Sequence, residues 1–182
     1  AAVYRASFFL LYASSMVLSS ERRTLRSALR TLNQAAVAST RTMLMDGGLS
    51  RNYPGAAAWL DHRLQEVING GSRAPQCWIA GDDASPAGVL ILTPKKLALK
   101  LSTLYVAEQF RGRGLGTQLM DRAIDSSRSL GFDEIYVTVA EHSVSLLRPL
   151  LYSKGFICSA IEQNRYGLGR HEAIFTKVGI DD

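Results

Sequence analysis

The chain has 182 residues, 47% of them hydrophobic and 20% charged, with a net charge of +5. That length suits one domain with a sizeable core, and the balance excludes a chain disordered throughout and a low-complexity or fibrous protein. The basic excess comes from 16 arginines against 5 lysines. It suits an anionic ligand, a nucleic acid or an acidic surface without choosing among them.

The run Ser7-Phe8-Phe9-Leu10-Leu11-Tyr12-Ala13 follows Arg5 and faintly resembles a signal peptide. It is broken by Ser14 and Ser15, lacks a clean cleavage pattern and is too short to span a membrane. Residues 1–15 are therefore read as a first strand or an extension, and a cytoplasmic protein is expected. Ser19 or Ser20 caps a helix beginning at Glu21. Leu25, Leu29, Leu32 and Ala36 form its apolar side, and Arg22, Arg23, Arg26 and Arg30 its solvated side. Asp46-Gly47-Gly48 ends that helix or its successor. The turn Asn52-Tyr53-Pro54-Gly55 leads into a second helix carrying Trp59, Leu60, Leu64, Val67 and Ile68, which Asn69-Gly70-Gly71 stops.

Strands follow. Cys77–Ala80 and Gly88–Leu92 flank the turn Gly81-Asp82-Asp83-Ala84-Ser85-Pro86 as a hairpin. After Pro94-Lys95-Lys96 the chain returns as a long strand, Leu97 to Val106, alternating with a period of two. A helix runs from Leu115 to Leu130, capped by Gly131. The β-branched strand Ile135–Val139 comes next and, one helix away from its predecessor, should lie parallel to it. A short helix over Ser143–Leu151, a strand over Gly155–Ala160 and a last strand over Ala173–Val178 complete the order. The expected fold is α/β (α+β), one domain over residues 1–182, with a mixed, mostly antiparallel sheet of about six or seven strands flanked by helices.

Cys77 and Cys158 lie in apolar runs without metal-ligand spacing and are read as buried free thiols. His62, His142 and His171 are scattered, so no metal site is expected. The distinctive segment is Leu104-Tyr105-Val106-Ala107-Glu108-Gln109-Phe110-Arg111-Gly112-Arg113-Gly114-Leu115-Gly116. A strand enters an Arg/Gly loop that opens directly onto a helix. Helix-terminal N–H groups, the helix dipole and glycines that admit close approach make such a junction an anion cradle.

Arg111-x-x-Gly114-x-Gly116 resembles the Gln/Arg-x-x-Gly-x-Gly/Ala signature of the GNAT superfamily of acyl-CoA-dependent N-acyltransferases. The strand before it, the helix after it and Lys154-Gly155-Phe156, which is similar to the family's later Gly-Phe motif, extend the likeness over about Cys77 to Val178. The resemblance implies acetyl-CoA as cosubstrate. Its pyrophosphate would lie on the backbone of Arg111, Gly112, Arg113, Gly114, Leu115, Gly116 and Thr117, and its pantetheine arm along Leu104, Tyr105 and Val106. It also implies that this strand and Ile135–Val139 splay apart around the thioester. An amine would attack the carbonyl directly, with a backbone N–H such as that of Val106 polarising it.

Many family members carry a Glu on the strand before the signature, where this chain has Lys100 and Ser102. Glu141 and His142, just past the next strand, are the nearest candidate bases, and Glu108 points to solvent. The family's acidic Tyr stands five residues before the Phe of Gly-Phe. Leu151 occupies that place and Tyr152 is one residue out of register, a turn of about 100° on a helix. Tyr152, Tyr166 or water would then protonate the leaving thiolate. Arg170, His171 and Glu172 either line an acceptor pocket or form a solvated strand end.

The expected function is acetyl transfer to a primary amine of a small molecule, peptide or protein, without membrane partners, and with homodimers common among similar proteins. Two alternatives stand: a non-catalytic acyl-CoA-binding module, and a toxin acetylating aminoacyl-tRNA, the one nucleic-acid partner admitted. No Gly-Lys-Ser/Thr follows the glycines, and the segment lacks the first strand–helix unit of a dinucleotide fingerprint.

Overall fold

The computed structural model describes residues 28–180. In chain order it contains β1 (Arg30–Thr31), α1 (Val37–Asp46), α2 (Leu49–Asn52), α3 (Ala56–Asn69), β2 (Gln76–Gly81), β3 (Pro86–Pro94), β4 (Leu99–Val106), α4 (Leu115–Ser129), β5 (Glu134–Ala140), α5 (Val144–Ser153), β6 (Ile157–Glu162) and β7 (Glu172–Val178). The strands form one seven-stranded sheet in the order β1-β2-β3-β4-β5-β7-β6. Every neighbouring pair is antiparallel except β4 with β5, the pair joined through α4.

Two apolar layers cover the sheet. On one face Leu90, Leu92, Leu101, Leu104 and Val137 pack against Leu119, Met120 and Ala123 of α4 and Leu147 and Leu151 of α5. On the other, Ile79, Val89, Ile91 and Tyr105 pack against Leu44 of α1, Leu49 of α2 and Trp59, Leu60 and Leu64 of α3. Because helices lie on both sides, all eight residues of β4 are buried, Lys100 and Ser102 included. The period of two in its sequence therefore marks two covered faces rather than one wet face. The Ser102 hydroxyl is satisfied by Thr93 Oγ1 at 2.8 Å.

The first helix differs from its expected course. Residues 19–27 lie outside the described part, as does the 1–15 segment. Within it, Arg30–Thr31 is a strand paired with Ile79 and Trp78, and helix α1 begins only at Val37. The Arg30 guanidinium donates to Gly81 O at 3.1 and 2.8 Å and pairs with Asp83, which ties this segment to the β2–β3 turn. Asn33 then caps a short 3₁₀ turn, accepting the N–H of Ala36 at 3.0 Å. Leu32 and Ala36 are buried as expected, but from a strand end and a turn.

Two further expectations change. Cys158 is exposed, because β6 is an edge strand of the sheet and all six of its residues are exposed. Cys77 is buried, and burial pushes its thiol far up from its ordinary value. Glu172 is buried with 2% of its surface exposed, so the solvated strand end does not hold for it. No helix among the described residues is long and apolar enough to cross a membrane.

Candidate active site

The parallel pair β4–β5 defines the site. Its register runs only from Leu99↔Ile135 through Leu101↔Val137, although β4 continues to Val106 and β5 to Ala140. Beyond Leu101 the two strands part. In the antiparallel ladder with β3, Val89 stands opposite Tyr105, and the N–H of Ala107 bonds Ala87 O at 2.9 Å. Backbone groups alternate sides along a strand, so those of Leu104 and Val106 turn away from β3 into the gap.

The gap opens at the N-terminus of α4. Gly112 (φ 73°) and Gly114 (φ 82°) both adopt the left-handed conformation, which turns the chain sharply between strand and helix. The first intrahelical bond is Gln118 N–H to Gly114 O at 3.1 Å. The N–H groups of Leu115, Gly116 and Thr117 therefore have no acceptor within the helix and point out of its positive end. Leu115 is fully buried and anchors that turn, while Gly116 and Thr117 face outward.

A cleft of about 520 Å³ lies across this end. Its floor is Leu104, Val106, Gly112 and the Gly114–Thr117 turn, with Phe110 and Arg111 beside it. Its far wall is α5, through Leu146, Pro149, Leu150 and Ser153. The expected ligand-binding residues Leu104, Val106, Arg111, Gly112, Gly114, Leu115, Gly116 and Thr117 thus share one cavity. Two do not line it. The Tyr105 side chain lies on the opposite face of β4, in the layer of α1 and α3. Arg113 is exposed and stacks over the Phe110 ring at 5.8 Å.

Arg111 joins the two faces. Its Nε donates to Val106 O at 3.0 Å, and its guanidinium lies 5.8 Å from the centre of the Tyr105 ring. Burial pushes the Tyr105 phenol up from its ordinary value. The Arg111 charge and hydrogen bond oppose this, and the carboxylates of Glu108 and Asp46 add to it.

The candidate catalytic residues lie elsewhere. Glu141 and His142 are exposed in the 3₁₀ turn Glu141–Ser143 that continues β5, where the Glu141 N–H bonds His171 O at 3.1 Å. Tyr152 is 51% exposed and packs against Phe175, ring centres 6.1 Å apart. None of the three lines the cleft. The α5 wall escaped the sequence reading, yet Leu146, Leu150 and Ser153 recur at helical spacing and would have appeared once one helix face was aimed at the loop. Opposite, Tyr53 meets Tyr166 edge-on at 6.2 Å and Arg170 covers the Tyr53 ring at 5.4 Å, so the β6–β7 loop closes over the turn between α2 and α3.

The profile of the acetyltransferase (GNAT) family matches residues 45–148. The chain belongs to this family. Acyl transfer is its chemistry, and the loop, the parted strands and the following helix all fall inside the matched span. Solved structures repeat the architecture of this GNAT protein. A GNAT-family protein from Desulfovibrio desulfuricans superposes with a TM-score of 0.72 at 18% identity, over 83% of this chain and 98% of that one. The ribosomal-protein-S18-alanine N-acetyltransferase of Escherichia coli gives 0.67 at 15% identity, over 84% and 94%. A GNAT acetyltransferase of Elizabethkingia anophelis, with acetyl-CoA bound, gives 0.65 at 15% identity, over 83% and 97%. At these identities the likeness is one of fold. No curated protein matches the GNAT chain.

Proposed function

We propose that the chain transfers an acetyl group from acetyl-CoA to a primary amine within a ternary complex. The observation that carries this reading is one cleft that joins the N-terminus of α4 to Leu104 and Val106, the part of β4 beyond its pairing with β5. The residues present fit the cosubstrate. The N–H groups of Leu115, Gly116 and Thr117 suit its pyrophosphate. The backbone groups of Leu104 and Val106 suit the amides of its pantetheine arm, and Leu146, Pro149 and Leu150 give that arm an apolar wall. The structure from Elizabethkingia anophelis, with acetyl-CoA bound, is consistent with this fit.

Acetyl-CoA supplies an activated thioester. The chain supplies position, placing carbonyl carbon and amine together in a gap shaped for both. The Val106 N–H, turned into the gap, would polarise the thioester carbonyl and stabilise the charge that develops on its oxygen. The amine must lose a proton to attack. Glu141, first residue beyond β5 at the open end of the gap, is the assigned acceptor of that proton, with His142 beside it. Tyr152 and Tyr166 both stand away from the cleft lining, which favours water as the proton donor to the departing thiolate. The free thiols and the supply of acetyl-CoA suit a cytoplasmic setting.

One observation favours a second reading. The cleft lining holds no carboxylate and no tyrosine, as a non-catalytic acyl-CoA-binding module would have it. Thermal shift with CoA, ATP and NAD, followed by acetyl transfer to a panel of amines, separates the readings. CoA should stabilise the protein, and ATP and NAD should not. An absence of stabilisation by CoA would refute both readings, whereas binding without transfer to any amine selects the module. For the enzyme, Glu141→Gln should lower kcat on the order of 100-fold and remove the acid limb of the pH–rate profile. An unchanged profile would remove Glu141 from the mechanism.

A further inference from the structure

Val106 is the last residue of β4, beyond the pairing with β5, and it turns two backbone groups into the gap. On a strand the N–H and the C=O of one residue point to the same side. The donor assigned to the thioester carbonyl therefore stands beside an acceptor of its own residue. The two dipoles act with opposite sign on an oxygen that is gaining negative charge. The N–H stabilises it, and an uncovered carbonyl oxygen repels it. A site that works through the Val106 N–H needs the Val106 carbonyl covered.

Arg111 covers it. Its Nε donates to Val106 O at 3.0 Å. The side chain is held at a second point, since its guanidinium lies 5.8 Å from the centre of the Tyr105 ring, within range of the ring's negative face. Tyr105 is buried in the layer of α1 and α3, where the missing side chain of Gly47 makes room for its phenol. Arg111 forms no ion pair with another described residue, so a carbonyl and a ring, rather than a carboxylate, fix its place. It is half-buried and borders the cleft. Arg113, in the same loop, is exposed and stacks on Phe110 instead. The two arginines of the loop differ in what they hold.

We propose that Arg111 is a positioning residue for acetyl transfer: its Nε–H covers the Val106 carbonyl, fixes the end of β4 and leaves the Val106 N–H to act unopposed on the thioester oxygen. This rests on the acetyltransferase reading above and adds to it a side chain that acts through Val106 rather than on the substrate.

The geometry selects the variants. Glutamine carries its amide nitrogen at the same ε position and can donate there without a charge, whereas lysine keeps the charge but has a methylene at that position. Arg111→Ala should lower kcat about 10–100-fold, less than outright removal of an oxyanion donor can cost. Its KM for acetyl-CoA should stay within about threefold of the wild type. Arg111→Lys should remain near the Ala value, and Arg111→Gln should recover to within about fivefold of the wild type. A second readout needs neither cosubstrate nor transfer. In the ligand-free protein, NMR should show the Arg111 Nε–H exchanging with solvent about tenfold or more slowly than that of Arg113. Calorimetry with CoA should give affinities within about threefold across the variants, which shows an intact fold. Equal exchange at the two arginines overturns the proposal. So does full activity in Arg111→Lys without recovery in Arg111→Gln, which would make charge the contribution. CoA affinity that falls in step with kcat also overturns it, because Arg111 would then be holding the cosubstrate. A wild type that binds CoA and transfers to no amine removes the acetyltransferase reading and this proposal with it, whereas an active wild type with three unimpaired variants removes the positioning role alone.

Discussion

Gly47→Ala tests the packing of the Tyr105 ring against the end of α1. Gly47 has φ −63°, a conformation open to any residue, so the substitution carries no backbone strain. The obstacle is the Tyr105 ring, since a Cβ there would stand 2.5 Å from both Cζ and Oη and 2.7 Å from Cε2. Carbon atoms pack at about 3.5–4.0 Å, so the ring must retreat by roughly 1 Å. Tyr105 is 5% exposed and has Arg111 over its face, which leaves little room to retreat. Overpacking of this kind costs about 1–3 kcal/mol. The loss of backbone freedom in the unfolded chain returns about 0.4–1 kcal/mol. The net destabilisation is about 0.5–2 kcal/mol, or a fall in Tm of about 1–8 °C for a chain of this size. Thermal unfolding of the single variants and of Gly47→Ala/Tyr105→Val measures it. With the ring gone, Gly47→Ala should cost nothing or stabilise slightly, a coupling of about 1 kcal/mol or more. An equal cost in both backgrounds would refute the steric account.

Three other outcomes are expected. Gly114→Val should abolish CoA binding by calorimetry, because it places a branched side chain at a left-handed position in the cleft floor, whereas Arg113→Ala should only weaken it. Iodoacetamide should label Cys158 in the folded protein and reach Cys77 only after unfolding, as counted by intact mass. Hydrogen bonds from Arg30, then from Asn33, hold the Asp83 carboxyl below its usual 3.8. Asp83 therefore contributes stability above that value and loses it as pH falls through the lower folded value. Asp83→Asn should lower Tm at neutral pH, with the difference vanishing in strong acid; a difference independent of pH would assign the effect to packing.

The chain from β2 to β7 was legible because its strands are apolar runs punctuated by glycines. The Arg/Gly loop was legible because its function is carried by consecutive backbone groups. Local pattern fails where partners are distant. Leu29, Leu32 and Ala36 carry a helical period, yet contacts to Gly81 and Asp83, some fifty residues on, hold Arg30 in a strand. The burial of Glu172 and the exposure of Cys158 both depend on β6 being the sheet's edge, which strand sequence alone does not encode.

The short register between β4 and β5 has a consequence for the whole molecule. The sheet is two sub-sheets, β1–β4 and β5–β7–β6, stitched along three residue pairs and left open beyond them. A cosubstrate bound as proposed, its amides along Leu104 and Val106, would act there as an interstitial strand, restoring ladder bonds that the polypeptide omits. The seam would then be fastened partly by a diffusible metabolite. At a ligand concentration of 100 times Kd this fastening is worth about 2.7 kcal/mol, a sizeable share of a typical domain's stability. The cohesion of the two sub-sheets, and the protein's lifetime with it, would follow the cell's supply of that metabolite as well as its own sequence.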